Sequence, residues 1–336
     1  MLSPKRYTLT IFIVLALSLI LGACQGGGQS AQTDQVTVQL SWFHSAEFAG
    51  FYVADQLGYY EEENIDVKLV AGGPETDPIN EVATGEAQFG VVAGDGVIRA
   101  QEDGQDIVAL AAIYRTSPLV VMALADSGIQ KPEDLQGKTV GVISPGLDTT
   151  WDIQFIAMLN TLGIDPNSMT FVPNEFYHGA DDLLSGKMDA SSGNFSINEP
   201  VQAKMDGHDL NLIYYNDYGV EFYNNLIVAN RDLIEENPDL VHRFIRATLK
   251  GYQHAIEHPE EAANQTVKYD ENLNFSFQKA MMEAQIPLID TGDAPVGSMD
   301  KAVWENTQQI LLNQNVIESS VNVGTFYTNE FIEGTQ

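Results

Sequence analysis

The stretch Val36-Thr37-Val38-Gln39-Leu40-Ser41-Trp42 decides the fold. Its apolar and polar residues alternate with period two, the signature of a strand with one buried face. Glu47–Glu62 follows and reads as a helix, with Phe48, Phe51, Tyr52, Asp55 and Tyr59 on one side. Ile65–Val70 is then a second strand. Working outward, the alternation continues through a short helix at Asp77–Thr84 closed by Gly85, a buried strand at Ala87–Ala93, a helix at Gly96–Asp103 and a strand at Ile107–Tyr114. Strands alternating with helices predict an α/β lobe with a mainly parallel sheet.

A second set repeats the pattern. Strands are expected at Leu119–Ala125, Thr139–Ile143, Met169–Val172, Met188–Ser192 and Leu210–Tyr215, with helices at Thr149–Leu162, Gly179–Leu184 and Glu199–Met205. Lys131-Pro132-Glu133-Asp134-Leu135 starts a short turn of helix with Pro at its beginning. From Asn225 the chain supplies one more strand, Asn225–Ala229, and then mostly helix. Val241, Ile245, Thr248, Leu249, Tyr252 and Ile256 form an amphipathic stripe whose start signal is Asn237-Pro238. The expected lobes are therefore residues 36–118 with 223–336, and residues 119–222. Two extended crossovers near Tyr114–Leu119 and Tyr215–Asn225 join them and leave a cleft. Ligands of open α/β sheets sit beyond the carboxyl ends of the strands.

The start of the chain reads as an address. Lys5 and Arg6 precede the apolar run Ile11 to Leu21, which at 11 residues is short for a bilayer span. Leu21-Gly22-Ala23-Cys24 then has small residues before a Cys, the pattern of a bacterial lipobox. Residues 1–23 are expected to be a lipoprotein signal peptide and Cys24 the lipidated first residue. Residues 24–35, rich in Gly, Gln and Ser, are a flexible tether to an extracytoplasmic membrane face. Cys24 is the single Cys of the chain, so no disulfide is available and the core alone must hold the fold. The 44% hydrophobic and 9% aromatic content supplies such a core.

Charge excludes whole classes of partner. With 16 Lys and Arg against 47 Asp and Glu the net charge is −31, so no basic footprint for nucleic acid or anionic lipid exists. His254-Ala255-Ile256-Glu257-His258 has the spacing of inverted zinc peptidases, but Pro259 ends the helix beneath the second His and the apolar stripe already explains the segment as packing. No metal site is expected. There is no G-x-S-x-G, Walker loop or G-x-G-x-x-G.

Candidates for ligand contact are the residues at strand ends and helix starts facing the cleft. They are Trp42, Phe43, His44 and Phe48 after the first strand, and Asp95 in the Gly94-Asp95-Gly96 turn. Tyr114 and Arg115 lie at the first crossover; Ser144, Asp148, Thr149 and Trp151 surround the next helix start. Asn194 and Glu199 end the second lobe's strand and open its helix, and Tyr223 and Asn224 lie at the second crossover. Aromatic faces would wall in a planar ring, while Asn side chains and turn N–H groups would meet its polar atoms. Asp95 and Asp148 complement the helix dipoles themselves, which argues against an anionic ligand there.

Leu40-Ser41-Trp42-Phe43-His44, Ala49-Gly50-Phe51-Tyr52-Val53-Ala54 and Gly58-Tyr59-Tyr60 resemble the opening of the thiamine-pyrimidine-precursor-binding proteins of ABC importers, the ThiY-like group. The likeness continues through Gly85-Glu86-Ala87-Gln88-Phe89-Gly90, Asp134-Leu135-Gln136-Gly137-Lys138, Gly186-Lys187-Met188-Asp189-Ala190, Asn237-Pro238 and Phe326-Tyr327-Thr328-Asn329-Glu330-Phe331. The resemblance implies a type II periplasmic-binding-protein fold, two α/β lobes that hinge over a ligand, acting as a monomer. It implies a small-molecule ligand and, as partners, an ABC permease and its ATPase. The enzyme branch of the family carries a cofactor Lys near the third strand and a Cys cluster; Phe89–Gly96 has no Lys and the mature chain no second Cys, so neither enzymatic activity nor a cofactor is expected. Thiamine-precursor binders carry a Trp/Tyr-rich stretch where this chain has Ser192-Gly193-Asn194-Phe195-Ser196-Ile197-Asn198-Glu199. The expected cargo is accordingly riboflavin, with a thiamine pyrimidine precursor as the alternative and a sulfonate or nitrate-type anion behind both.

Overall fold

The computed structural model describes residues 33–332 apart from 148, 176, 177 and 293. The expected signal segment, Cys24 and most of the tether lie outside these residues. Asp34 and Gln35, expected as the end of the tether, instead open the first strand. They pair with Ile65 and Asp66 of the neighbouring strand, and the Gln35 amide donates to the Asp66 carboxylate at 2.9 Å.

The first half runs β1 (Asp34–Gln39), a 3-10 turn at Ala46–Phe48, α1 (Ala49–Gln56), α2 (Tyr59–Glu62), β2 (Ile65–Val70), α3 (Pro78–Ala83), β3 (Phe89–Val92), α4 (Gly94–Glu102) and β4 (Ile107–Tyr114). The single helix expected over 47–62 is thus broken. Gly58 adopts φ +78°, a left-handed conformation cheap only for glycine, and restarts the helix on a new axis.

After residues 115–118 the chain forms β5 (Leu119–Leu124), β6 (Thr139–Val142), α5 (Thr150–Thr161), β7 (Thr170–Pro173), α6 (Gly179–Leu184), β8 (Ala190–Phe195), α7 (Glu199–Met205) and β9 (Leu210–Tyr214). It returns as β10 (Asn224–Asn230) and finishes with α8 (Arg231–Glu236), α9 (Pro238–Glu257), α10 (Pro259–Thr266), α11 (Phe275–Ile289) and α12 (Lys301–Asn313).

The strands make two five-stranded sheets, ordered β2-β1-β3-β10-β4 and β7-β6-β8-β5-β9. Both are mixed, which corrects the mainly parallel expectation. β10 runs antiparallel to β3 and β4, and β5 antiparallel to β8 and β9. The physical reason is the same twice: each is the strand that has just arrived from the other sheet. It enters at the edge where the parallel strands end and so must run away from it.

α9 covers one face of the first sheet through its apolar stripe. Phe244 lies between Phe89 of the sheet and Tyr60 of α2, with ring centroids 3.8 and 5.6 Å away and near-parallel planes. The C-terminal helices also reach the second lobe. α7 packs against α11, Ile197 joins the core of the first lobe, and the Gln314 amide donates to the Ile153 carbonyl at 2.9 Å. Among the described residues no helix is long and apolar enough to cross a membrane.

α1 and α9 meet through two glycines. A Cβ on Gly251 would stand 2.1 Å from the Gly50 carbonyl oxygen, and one on Gly50 would stand 2.2 Å from the Tyr252 ring. Backbone cannot yield as a side chain can. Gly251→Ala should therefore destabilise the protein by about 1–3 kcal/mol, the usual cost of overpacking. This is read as a lower urea midpoint at constant slope; an unchanged midpoint would contradict the close approach.

Candidate functional site

Two lobes contribute walls to one cavity of about 300 Å³, at the low end of small-molecule sites. The first wall is built by the segment after β1. Trp42 is held there by its backbone, whose carbonyl accepts from Gly72 N–H at 2.8 Å. That approach needs a glycine, since a Cβ on Gly72 would stand 2.3 Å from the Leu40 carbonyl. The loop so clamped brings Gly73, Pro74 and Thr76 to the cavity.

Glu47 follows in the 3-10 turn and lines the same cavity, 8% exposed. Its neighbour Ala46 is gripped from both sides. The Ala46 N–H donates to Gln278 Oε1 at 2.6 Å, and its carbonyl accepts from Gln285, which in turn accepts from the Tyr114 hydroxyl at 2.7 Å. These contacts tie the turn that carries Glu47 to α11. Asn224 and Asn225, at the start of β10, complete this side. Asn225 has φ +47°, a left-handed position that Asn tolerates better than most residues.

The second wall comes from the starts of α5 and α7 and the end of β8. Trp151 sits in the first turn of α5, directly over Gly193. Gly193 has φ +74°, and a Cβ there would stand 3.2 Å from the Trp151 Cβ. The turn before α5 is organised by Asp152, fully buried. It accepts from the Ile143 and Ser144 N–H groups at 3.0 and 2.9 Å and from the Thr149 hydroxyl at 2.6 Å. From α7, Glu199 reaches back to accept from Phe195 N–H at 3.2 Å. Phe195, Ile197, Asn198 and Glu199 all line the cavity.

The electrostatics are one-sided. Among the described residues lining the cavity there are two carboxyls, Glu47 and Glu199, three carboxamides and no Lys, Arg or His. Burial pushes the Glu47 carboxyl up to about 7, while the Asn225 amide beside it works in the opposite direction. A wider depression of about 710 Å³ lies elsewhere on the first lobe. Its Arg231 is held by Asp106 at 2.8 Å and by the Thr325 carbonyl at 2.7 Å.

Of the sequence candidates, the structure brings Trp42, Trp151, Glu199 and Asn224 to the cavity. The others do different work. Phe48 is fully buried in the first lobe's core, and Tyr114 is buried with its hydroxyl on Gln285. Tyr223 packs edge-on against Trp304 and accepts from Asp300 N–H at 2.6 Å. Arg115 is buried, donates to the Ser298 carbonyl at 3.2 Å and Thr291 Oγ1, and pairs with Asp300 at 3.3 Å. It pins the segment before α12 and is absent from the cavity wall. Ser144 and Thr149 serve the Asp152 turn, so the N–H groups expected to face a ligand there are already engaged. Asn194 is 2% exposed and bonds back to Ser191. Asp95 is buried in the first turn of α4. Phe43 is half exposed against Trp42, and His44 bonds the Tyr52 hydroxyl at 2.9 Å. Asp148 lies outside the described residues. His254 engages Glu261 and Tyr59 at 3.1 and 3.3 Å, and His258 lies past the end of α9.

Sequence reasoning placed Glu47 in a helix and did not single it out. A signal existed: it is the one acid between Val36 and Ala54, within an otherwise small and apolar run. Asn225, Asn198 and the 73–76 loop left no comparable mark.

The raised Glu47 value has a signed consequence for stability. In the unfolded chain the group titrates near 4.5, in the folded protein near 7. Between these values the folded protein holds a proton that the unfolded chain has lost. Stability therefore falls as pH rises through this window and levels off above it, by about 3 kcal/mol in all. Glu47→Gln should remove that component and melt higher than the parent at pH 8. Parallel melting-against-pH curves for the two proteins would contradict it.

Comparison with known proteins agrees with this geometry. A periplasmic sulfonate-binding protein SsuA from Methylobacillus flagellatus superposes with a TM-score of 0.69, covering 91% of this chain and 94% of its own at 15% identity, a likeness of fold alone. The architecture is the type II periplasmic-binding-protein fold, two α/β lobes around a ligand cleft. A formylaminopyrimidine-binding protein from Halalkalibacterium halodurans is 31% identical over 302 residues, 88% of this chain and 90% of its own. The riboflavin-binding protein RibY from Chloroflexus aurantiacus is 26% identical over 310 residues, 90% and 87% of the two chains. The profile described as NMT1/THI5 like matches residues 45–262, and the chain belongs to the NMT1/THI5-like family.

Proposed function

We propose that this protein is the solute-binding component of an ABC importer whose cargo is an amino-substituted pyrimidine of the formylaminopyrimidine class. The observation that carries the reading is the cavity itself: about 300 Å³, a tryptophan from each lobe, two carboxyls and no cation among its described lining residues. Such a site suits a small planar ring that brings N–H donors. A sulfonate or nitrate would meet carboxyls without a positive group to offset their repulsion. Each aromatic face adds about 0.5–1.5 kcal/mol beyond area burial, and carboxyls accept ring amino groups that need partners once desolvated. The 31% identity to a formylaminopyrimidine-binding protein supports the same choice over the flavin ranked first from sequence. Riboflavin remains the second reading, favoured by the RibY relative.

In this reading the two crossovers act as a hinge, closing the lobes over the ligand, and the loaded protein delivers it to a membrane permease driven by an ATPase. It acts as a binding protein, without chemistry on the cargo and without a resident cofactor. Cys24, lipidated, tethers the domain outside the membrane.

Two experiments test this. Calorimetry with formylaminopyrimidine, riboflavin and an alkanesulfonate should show binding of the pyrimidine and none of the sulfonate. Trp42→Ala should weaken pyrimidine binding by about tenfold or more. Riboflavin binding without pyrimidine binding would transfer the assignment to the flavin. Separately, Cys24→Ala should leave the protein unprocessed or move it from the membrane to the soluble fraction; unchanged size and fractionation would remove the anchor from the account.

A further inference from the structure

Glu47 is the polar group of the cavity that the architecture treats most deliberately. Its turn is clamped through both polar backbone atoms of Ala46, by Gln278 and Gln285 of α11, and the second of these is itself set by the Tyr114 hydroxyl. The carboxyl is nearly buried yet forms part of the cavity wall. The titratable groups that feel its charge are the phenols of Tyr52 on α1, Tyr114 on β4 and Tyr252 on α9, all of them neutral acids whose pKa it helps to raise. The Asn225 amide of β10 lies beside it, and Glu199 of the second lobe lines the same cavity. No ammonium or guanidinium stands among these neighbours. A carboxyl buried in such surroundings is costly to keep charged, and a ligand entering the cavity meets it at the wall.

We infer that Glu47 is the specificity-determining residue of the first lobe, accepting an N–H donor from the ligand as a carboxylate and discriminating against rings that present only acceptors at that edge. This rests on the reading of the cavity as an aminopyrimidine site and names the residue that enforces it. No bond is made or broken in the ligand. The proton that Glu47 holds in the empty protein leaves to solvent when the N–H donor arrives. The raised affinity of the empty site for that proton makes the exchange observable near neutrality.

The test is calorimetry of formylaminopyrimidine binding at pH 6 and pH 8, in buffers of different ionisation enthalpy, with the full mature protein and with Glu47→Gln and Glu47→Asp. Titration of the ligand ring is common to all three proteins and cancels in the differences between them. In the parent, affinity should rise between pH 6 and pH 8 and proton release at pH 6 should exceed that of Glu47→Gln. Glu47→Gln should bind about ten- to a hundredfold more weakly at pH 8, the loss expected for one hydrogen bond to a charged acceptor. Glu47→Asp, with its carboxyl drawn back by one methylene, should lose affinity but retain the excess proton release. That pattern separates a ligand acceptor from a residue that merely shapes the turn. If the parent binds the pyrimidine and Glu47→Gln matches it in affinity and proton release, the inference is overturned and the aminopyrimidine reading stands. If the parent does not bind the pyrimidine, the reading itself falls and takes the inference with it. A Glu47→Gln protein that does not fold leaves Glu47→Asp to decide by the same two readouts.

Discussion

The chain passes from one sheet to the other at 115–118 and returns at 215–223, and the direction of those passages governs the rest. Parallel strands of both sheets end at a shared edge, so a strand arriving there must run the other way. β5 and β10 therefore enter antiparallel, each in the middle of its new sheet rather than at its margin. Their first residues, Leu119, Asn224 and Asn225, line one cavity together with Ser41 and Trp42 after β1, Ala93 after β3 and Phe195 at the end of β8. Asn225 turns the corner with φ +47°. Arg115, which sequence reasoning assigned to the ligand, fastens the first passage to the segment before α12 through Ser298, Thr291 and Asp300. A site assembled from strand ends needs its connections held, and the conspicuous cation of the region is spent on that task.

Within this frame the cavity carries a charge problem that the protein leaves open. The described residues lining this small, largely apolar space include two carboxyls and no Lys, Arg or His. Glu199 is eased by the Phe195 N–H. Glu47 stays desolvated and titrates near neutrality. Groups arranged in this way lower stability and mark sites where a ligand completes the hydrogen bonding. The net charge of −31 points in the same direction, since it disfavours anionic cargo at long range, although salt screens it beyond about 10 Å.

Much of the fold was legible because it rests on periodicity. The β4 strand Ile107–Tyr114 and the helices Gly179–Leu184 and Glu199–Met205 fall where the pattern puts them. The break at Gly58 and the antiparallel strands were not legible, because one depends on a single left-handed residue and the other on which edge the chain enters. Of the strand-end candidates, Trp42, Trp151, Glu199 and Asn224 line the cavity, whereas Phe48, Tyr114 and Tyr223 are buried away from it. An aromatic at a strand end packs inward or faces the cleft according to a register that sequence does not display. Sequence reasoning missed Glu47 because an acid inside a helical pattern reads as a solvated face; burial here comes from α11, more than two hundred residues away in sequence.

The most direct measurement is a crystal structure of the mature protein grown with formylaminopyrimidine. The account predicts a ring lying between Trp42 and Trp151, with an N–H edge on the Glu47 carboxyl and a second polar edge toward Glu199. A ring lodged in the depression beside Arg231 and Asp106, or one turning only acceptors toward Glu47, would contradict it.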